Sequence, residues 1–259
     1  MKKHLLILIL LFIGYSLQSQ VLISLLFGDK LNSDGLEFGL EGGFNHSTIT
    51  GLESNNSLSE FYLGFYFDIR LKDQWSLDTG FMVKSTLGND DLTENDLNFL
   101  HAEIHEEEGR YEQKMSYWLL PVLVKYKFKN YIYVEAGTQF GLMRKGWVEF
   151  NSNIDDKNIR IKETNTDMIN RFDMGIVAGT GFTLLKGIGW TIGAKYYYGF
   201  LDVYKERSGT KNSSLFLKMN IPIGLSEKSK EEIQEFKAQN KEKKKIKKEE
   251  RKKNKENKI

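Results

Sequence analysis

An all-β chain, closed as an eight-stranded antiparallel up-and-down transmembrane β-barrel, is the architecture this sequence predicts. Three observations carry it. Between Leu36 and Leu225 eight segments of about ten residues alternate apolar and polar side chains. The connections between them run long and short in strict alternation. After the first 19 residues no apolar run approaches the roughly 20 residues that a membrane-spanning helix requires.

The strands follow in order. The first sets Leu36, Phe38, Leu40 and Phe44 on one face and Glu37, Gly39, Glu41 and Asn45 on the other, the period-two alternation of an extended chain. In the second, Phe61, Leu63, Phe65, Phe67, Ile69 and Leu71 oppose Tyr62, Gly64, Tyr66, Asp68 and Arg70. The third opposes Trp75, Leu77, Thr79, Phe81 and Val83 to Asp78, Gly80 and Lys84, and the fourth opposes Trp118, Leu120, Val122, Val124 and Tyr126 to Lys125 and Lys127. Ile132, Val134, Ala136, Phe140 and Leu142 of the fifth stand against Tyr133, Glu135, Gly137 and Gln139. The sixth has Phe172, Met174, Ile176 and Ala178 against Asp173, Gly175 and Gly179; the seventh has Trp190, Ile192, Ala194, Tyr196 and Tyr198 against Gly193, Lys195 and Gly199. The eighth sets Leu215, Leu217, Met219 and Ile221 against Lys218 and Asn220.

Three connections are tight, at Lys72–Gln74, Lys129–Asn130 and Lys186–Ile188; four are long, near Thr48–Glu60, Thr86–Lys114, Arg144–Asn170 and Lys205–Ser213. Outer-membrane barrels carry short periplasmic turns and long extracellular loops. This alternation therefore predicts an even strand number, with both termini in the periplasm. Trp75, Tyr126, Tyr131, Trp190, Phe61, Trp118, Phe200 and Tyr204 fall near the predicted strand ends, as in an aromatic girdle at the lipid–water interface.

Residues 1–19 read as a secretory signal: Lys2 and Lys3, an apolar stretch from Leu5 to Ile13, and Ser19 before the cut. The barrel then occupies residues 20–225 and a Lys/Glu-rich tail residues 226–259. With no cysteine in the chain, disulfides and thiolate metal sites are excluded. The net charge of +2 hides an asymmetry, because the tail holds 14 basic and 8 acidic side chains while the barrel is mildly acidic. Such a tail cannot bury a core. It is expected either to contact anionic periplasmic partners, cell-wall or envelope-protein, or to act as a solubilising segment. Nucleic acid is not an expected partner, and no cofactor is implied.

An eight-stranded barrel is just wide enough for side chains to fill it. Parity assigns Glu37, Glu41, Asp68, Asp78, Glu135 and Asp173 inward, together with Arg70, Lys84, Lys125, Lys127, Lys195 and Lys218. Buried charges must be paired, so equal numbers of acids and bases predict an internal salt-bridge network. The alternative is a narrow ion path or proton relay. Inward glycines, among them Gly64, Gly137, Gly179 and Gly193, leave room for long side chains. Pro121 and Pro222 predict a bulge or strand end, since a closed ring has no edge strand to tolerate proline.

The run Tyr117-Trp-Leu-Leu-Pro-Val-Leu-Val-Lys-Tyr126 and the hairpin leading to Tyr131-Ile-Tyr-Val-Glu-Ala-Gly137 resemble the PorT-like outer-membrane β-barrel proteins of Bacteroidota. The Gln-Ser-Gln ending of the signal is similar too. The resemblance covers roughly Leu36 to Leu225 and implies a small barrel in the outer membrane, surrounded by its lipid, within a broad group. One branch of that group is associated with secretion and gliding machinery. The Lys-rich tail departs from the group's usual ending at the last strand.

Two sites are candidates for chemistry. His101, His105 and Glu108 in the second long loop would share a helical face if that loop were helical. Two imidazoles and a carboxylate there could hold a cation such as zinc; the other reading is a solvated acidic helix. His46, beside Ser47, shares the parity of Phe44 and faces lipid, as a lipid-processing histidine would. No partner carboxylate is visible from spacing, so the expectation is a protein that is not an enzyme. A structural or interaction role follows, with a lipid-modifying enzyme or small channel as the alternative.

Overall fold

The computed structural model describes residues 35–154, 157–184 and 189–223, with the isolated tail positions 234, 235, 238 and 241. The signal, most of the tail and the Lys186–Ile188 turn lie outside the described residues. The described residues form nine strands: β1 Leu36–Ile49, β2 Asn56–Lys72, β3 Trp75–Asp90, β4 Arg110–Lys127, β5 Ile132–Ile154, β6 Lys157–Thr164, β7 Phe172–Thr183, β8 Thr191–Gly199 and β9 Asn212–Pro222. A short α-helix, α1, spans Glu94–Leu100.

Eight of the strands form an antiparallel ring. They run β4-β3-β2-β1-β9-β8-β7-β5, and β4 pairs with β5 to close it. Closure joins chain neighbours and the two ends alike: Leu40 of β1 sits opposite Ile221 of β9, and Leu123 of β4 opposite Gly137 of β5. Among the described residues no helix is long and apolar enough to cross a membrane; the crossing elements are strands. Their outward faces carry the exposed apolar side chains, including Phe44 at 57%, Ile176 at 52% and Ile192 at 52%. An outward apolar belt on a closed ring of strands is the lipid-facing surface of a transmembrane barrel.

The ninth strand corrects the expected long loop Arg144–Asn170. β5 runs for 23 residues, or about 75 Å of extended chain, well beyond what an apolar band ~25 Å tall requires. Its second half turns back into β6, which pairs with β5 alone, so the hairpin projects beyond the closed ring. The alternation Ile159, Arg160, Ile161, Lys162 is the sequence signal for it.

The two tight turns among the described residues are as short as expected. Lys72 pairs with Trp75 across a two-residue turn in which Asp73 has φ 53°. Between β4 and β5, Phe128 N donates to Ile132 O (2.8 Å). Pro222 ends β9, and Pro121 stands inside β4 at a gap in the β3–β4 ladder, between the pairs Thr79–Val122 and Met82–Leu119, with the register unchanged and its carbonyl accepting from Thr79 Oγ1 (2.8 Å). Proline lacks the N–H that an unbroken ladder would use.

Aromatic rings cluster at both rims. Near the tight turns Trp75 packs on Tyr126 (4.8 Å between centroids) and Tyr126 on Phe128 (4.9 Å). Tyr204 is the exception to the expected girdle. It is buried against Phe99 on the loop side.

Candidate functional site in the barrel lumen

Seven charged side chains from seven strands converge inside the ring. Glu41 comes from β1, Asp68 from β2, Asp78 from β3, Lys125 from β4, Glu135 from β5, Lys195 from β8 and Lys218 from β9, all buried. Lys125 Nζ lies 3.1 Å from Asp68 and 3.9 Å from Glu135, and it also pairs with Asp78. Lys218 reaches Glu135 Oε1 at 2.6 Å, Glu41 at 3.9 Å and Asp78 at 4.0 Å. Lys195 Nζ sits 2.6 Å from Glu41. Lys127, half-exposed, adds a contact to Asp68 at 3.0 Å, which brings four cations against four carboxylates.

The remaining strand contributes space. Gly179 of β7 lies so close to the network that a Cβ there would stand 3.0 Å from Glu135 Oε1. Gly181 and Gly193 face each other across β7 and β8, and a Cβ on either would come within 2.4 Å of the Tyr133 hydroxyl. Their missing side chains seat the Tyr133 ring, over which Lys125 and Lys218 hang at 5.0 and 5.4 Å. Isolated ions in such a place would each cost several kcal/mol, and mutual pairing offsets that cost.

Other predicted members fall elsewhere. Glu37 accepts from Tyr66 Oη at 2.7 Å and is only partly buried. Asp173 is buried but takes its contacts from Asn212 Nδ2 (2.8 Å) and Met174 N (2.9 Å). Arg70 keeps inward parity yet stands exposed at the turn end of β2. Lys84 is a correction: a bulge lies between Met82 and Ser85, both buried. It turns Lys84 outward, over the exposed Phe61 ring.

Toward the long loops an apolar cap takes over. Leu97 and Leu100 of α1 belong to one buried cluster with Leu52, Leu87, Met115, Met143, Val203 and Tyr204. Thr93 caps the helix by a reciprocal bond with Asp96, whose carboxylate also accepts from Glu53 N (2.8 Å) and Ser54 N (2.9 Å). One side chain thus ties α1 to the first long loop.

The helix ends at Leu100, and His101 adopts φ 55°. His105 and Glu108 lie beyond it, so the helical face expected to unite His101, His105 and Glu108 does not form. His105 instead packs on Phe150 (4.6 Å) while its backbone N donates to Tyr111 Oη (2.7 Å). His46 points outward as expected, and its Nδ1 lies 2.7 Å from Ser59 Oγ.

Outside the cap, Glu149 of the β5–β6 hairpin gathers Lys114 (3.0 Å), Lys162 (3.0 Å), Arg160 (3.5 Å) and Trp147 Nε1 (3.0 Å). Burial pushes its carboxyl up, but these hydrogen bonds and the Lys114 charge outweigh burial and hold it down at about 2. Lys114, partly buried, is bound in addition by Glu60 (3.2 Å) and Glu112 (2.9 Å) and is raised above the ordinary lysine range.

A closed ring with a lipid-type exterior and a polar, filled interior agrees with a family match over residues 19–205, to the outer membrane protein beta-barrel domain. The chain belongs to that family. As an outer membrane protein beta-barrel it resides in the outer membrane. Solved structures similar to it include Ail of Yersinia pestis, 14% identical, covering 73% of this chain and 99% of that one, at TM-score 0.41. Neisserial surface protein A is 6% identical over 73% of this chain and 97% of that one, at 0.37. OprG of Pseudomonas aeruginosa is 12% identical over 73% and 93%, at 0.33. No curated protein matches by sequence.

Proposed function

We propose that this outer-membrane barrel has a structural and interaction role and does not conduct. The observation that carries the reading is the buried ion network spanning the lumen beneath an apolar cap. A conducting path would need continuous water, and the middle of this barrel is occupied by paired lysines and carboxylates. The long-loop end, with α1 and the β5–β6 hairpin, is the extracellular recognition surface. The tight turns face the periplasm, as do both termini, where the basic tail acts as tether to cell-wall or envelope-protein partners. The resemblance of the strand Tyr117–Tyr126 and its following hairpin supports reading the chain as one of the PorT-like group.

The test has two arms. Full-length protein in planar bilayers should give no unitary current, and stepwise conductance would reject the plugged reading. Crosslinked cells carrying the full chain, or one stopped after Leu225, should differ in captured envelope partners; identical partner sets would remove the tail from the proposal.

One contact supports a second reading. His46 Nδ1 and Ser59 Oγ lie 2.7 Å apart on the lipid-facing side, the spacing of a base and a nucleophile. Among the described residues no carboxylate orients this imidazole. Acyl release from phospholipid vesicles that is abolished by His46→Ala would establish the lipid-modifying alternative.

A further inference from the structure

Two β-bulges lie on either side of β4, opposite its residues 116–119, and each delivers a cation to the lipid side of the barrel. On β3 the register slips between Met82 and Ser85 and places Lys84 outward, its Nζ 5.4 Å from the Phe61 centroid. On β5, Tyr117 pairs with Met143 while Ser116 pairs with Lys145. Arg144 is the extra residue, and its guanidinium carbon lies 5.0 Å from the centre of Trp118. β4 runs between the two strands, so Lys84 and Arg144 flank Trp118, separated by two strand spacings, about 10 Å.

The surroundings locate this pair at the lipid boundary. On the membrane side lie exposed rings, with Phe81 packed on Trp118 at 5.8 Å. On the solvent side lies the charge cluster around Lys114 and Glu149. Outward polar pairs on neighbouring strands mark the same transition: His46 with Ser59, and Thr48 with Ser213 at 2.8 Å. Every lumen lysine has its carboxylate, whereas among the described residues neither Lys84 nor Arg144 has an ion-pair partner. A bulge costs ladder pairing, and here two of them place unpaired cations where headgroups begin.

We propose that Lys84 and Arg144 form a binding site for the phosphorylated headgroup of an outer-leaflet glycolipid. The inference rests on the orientation proposed above, with the long loops outside. Guanidinium is planar and stacks on Trp118 while its edge N–H groups remain free for a two-point contact with phosphate oxygens. The ammonium of Lys84 supplies a second point of charge for the same headgroup. The acyl chains would then lie along Phe81 and Trp118.

The experiment reconstitutes full-length protein in phosphatidylcholine nanodiscs doped with diphosphorylated lipid A, with the same glycolipid stripped of phosphate, or with phosphatidylglycerol. Native mass spectrometry counts the lipid retained. Wild-type protein is expected to retain the phosphorylated glycolipid over both others. K84Q/R144Q should weaken that retention about thirtyfold, from the loss of two interfacial cations, with folded migration on unheated gels unchanged. Equal retention of the phosphate-free glycolipid or of phosphatidylglycerol by wild-type protein overturns the site without recourse to any variant. Equal retention by the folded double variant overturns it as well. Failure of the wild-type chain to insert and migrate as a folded barrel would instead reject the membrane-barrel reading on which the site depends.

Discussion

Lys218 of β9 and Glu135 of β5 meet at 2.6 Å across the lumen, though 83 residues separate them in the chain. Both are buried, and each is the other's shortest ionic contact. Removing one partner strands a charge, at a cost of about 3–5 kcal/mol. Lys218→Met is therefore expected to lower the urea midpoint of unfolding in vesicles strongly. The double change K218M/E135Q should recover part of the loss, because the stranded carboxylate is gone. A coupling energy near zero in that double-mutant cycle would show that the pair does not act as a unit.

Gly193 and Tyr133 form a second relationship of this kind. A methyl group on Gly193 would meet the Tyr133 hydroxyl at 2.4 Å and Thr180 O at 2.7 Å. Gly193→Ala is expected to destabilise the barrel by about 1–3 kcal/mol, the usual cost of overpacking. Tyr133→Phe in the same chain should relieve only the hydroxyl's share, and refolding yield together with the unfolding midpoint measures both.

The β5–β6 hairpin should respond to acid. Glu149 is held at about 2 in the folded chain, below the ~4.3 of an unperturbed glutamate. Its contribution to hairpin order is therefore fully present above about pH 4.5 and is lost as pH falls toward 2. Trp147, which donates to the same carboxylate, offers the probe. With Trp75, Trp118 and Trp190 replaced by Phe, the remaining Trp147 emission should shift across this window, and Glu149→Gln should abolish the shift. A flat profile in the single-Trp parent would refute the assignment.

Tyr204 links the last long loop to α1 through Phe99, at 5.2 Å between ring centroids. Tyr204→Ala removes a buried ring, a loss of about 3–5 kcal/mol from the cap. Hydrogen exchange should speed up across α1 and the segment after it while the ring strands β7 to β9 keep their protection. Uniform acceleration throughout the barrel would mean that cap and ring unfold together.

Much of this architecture is written in period-two alternation. It is local, so a reader of the sequence can place Glu41, Asp68, Asp78, Lys125, Glu135, Lys195 and Lys218 inside, and the structure puts them there. The same alternation is present in Asn158 to Lys162, but a strand outside the closed ring has no apolar band to announce it. Parity fails wherever one residue is inserted, because a single bulge reverses every side chain beyond it. Lys84 was misplaced for that reason, and the reversal is what sets it beside Phe61. The stop of α1 at His101 likewise has no glycine or proline to signal it. What only the tertiary structure decided is partnership. Which lysine meets which carboxylate depends on ring closure, which brings Lys195 to Glu41 across 154 residues, and a contact at that separation leaves no periodic trace in the chain.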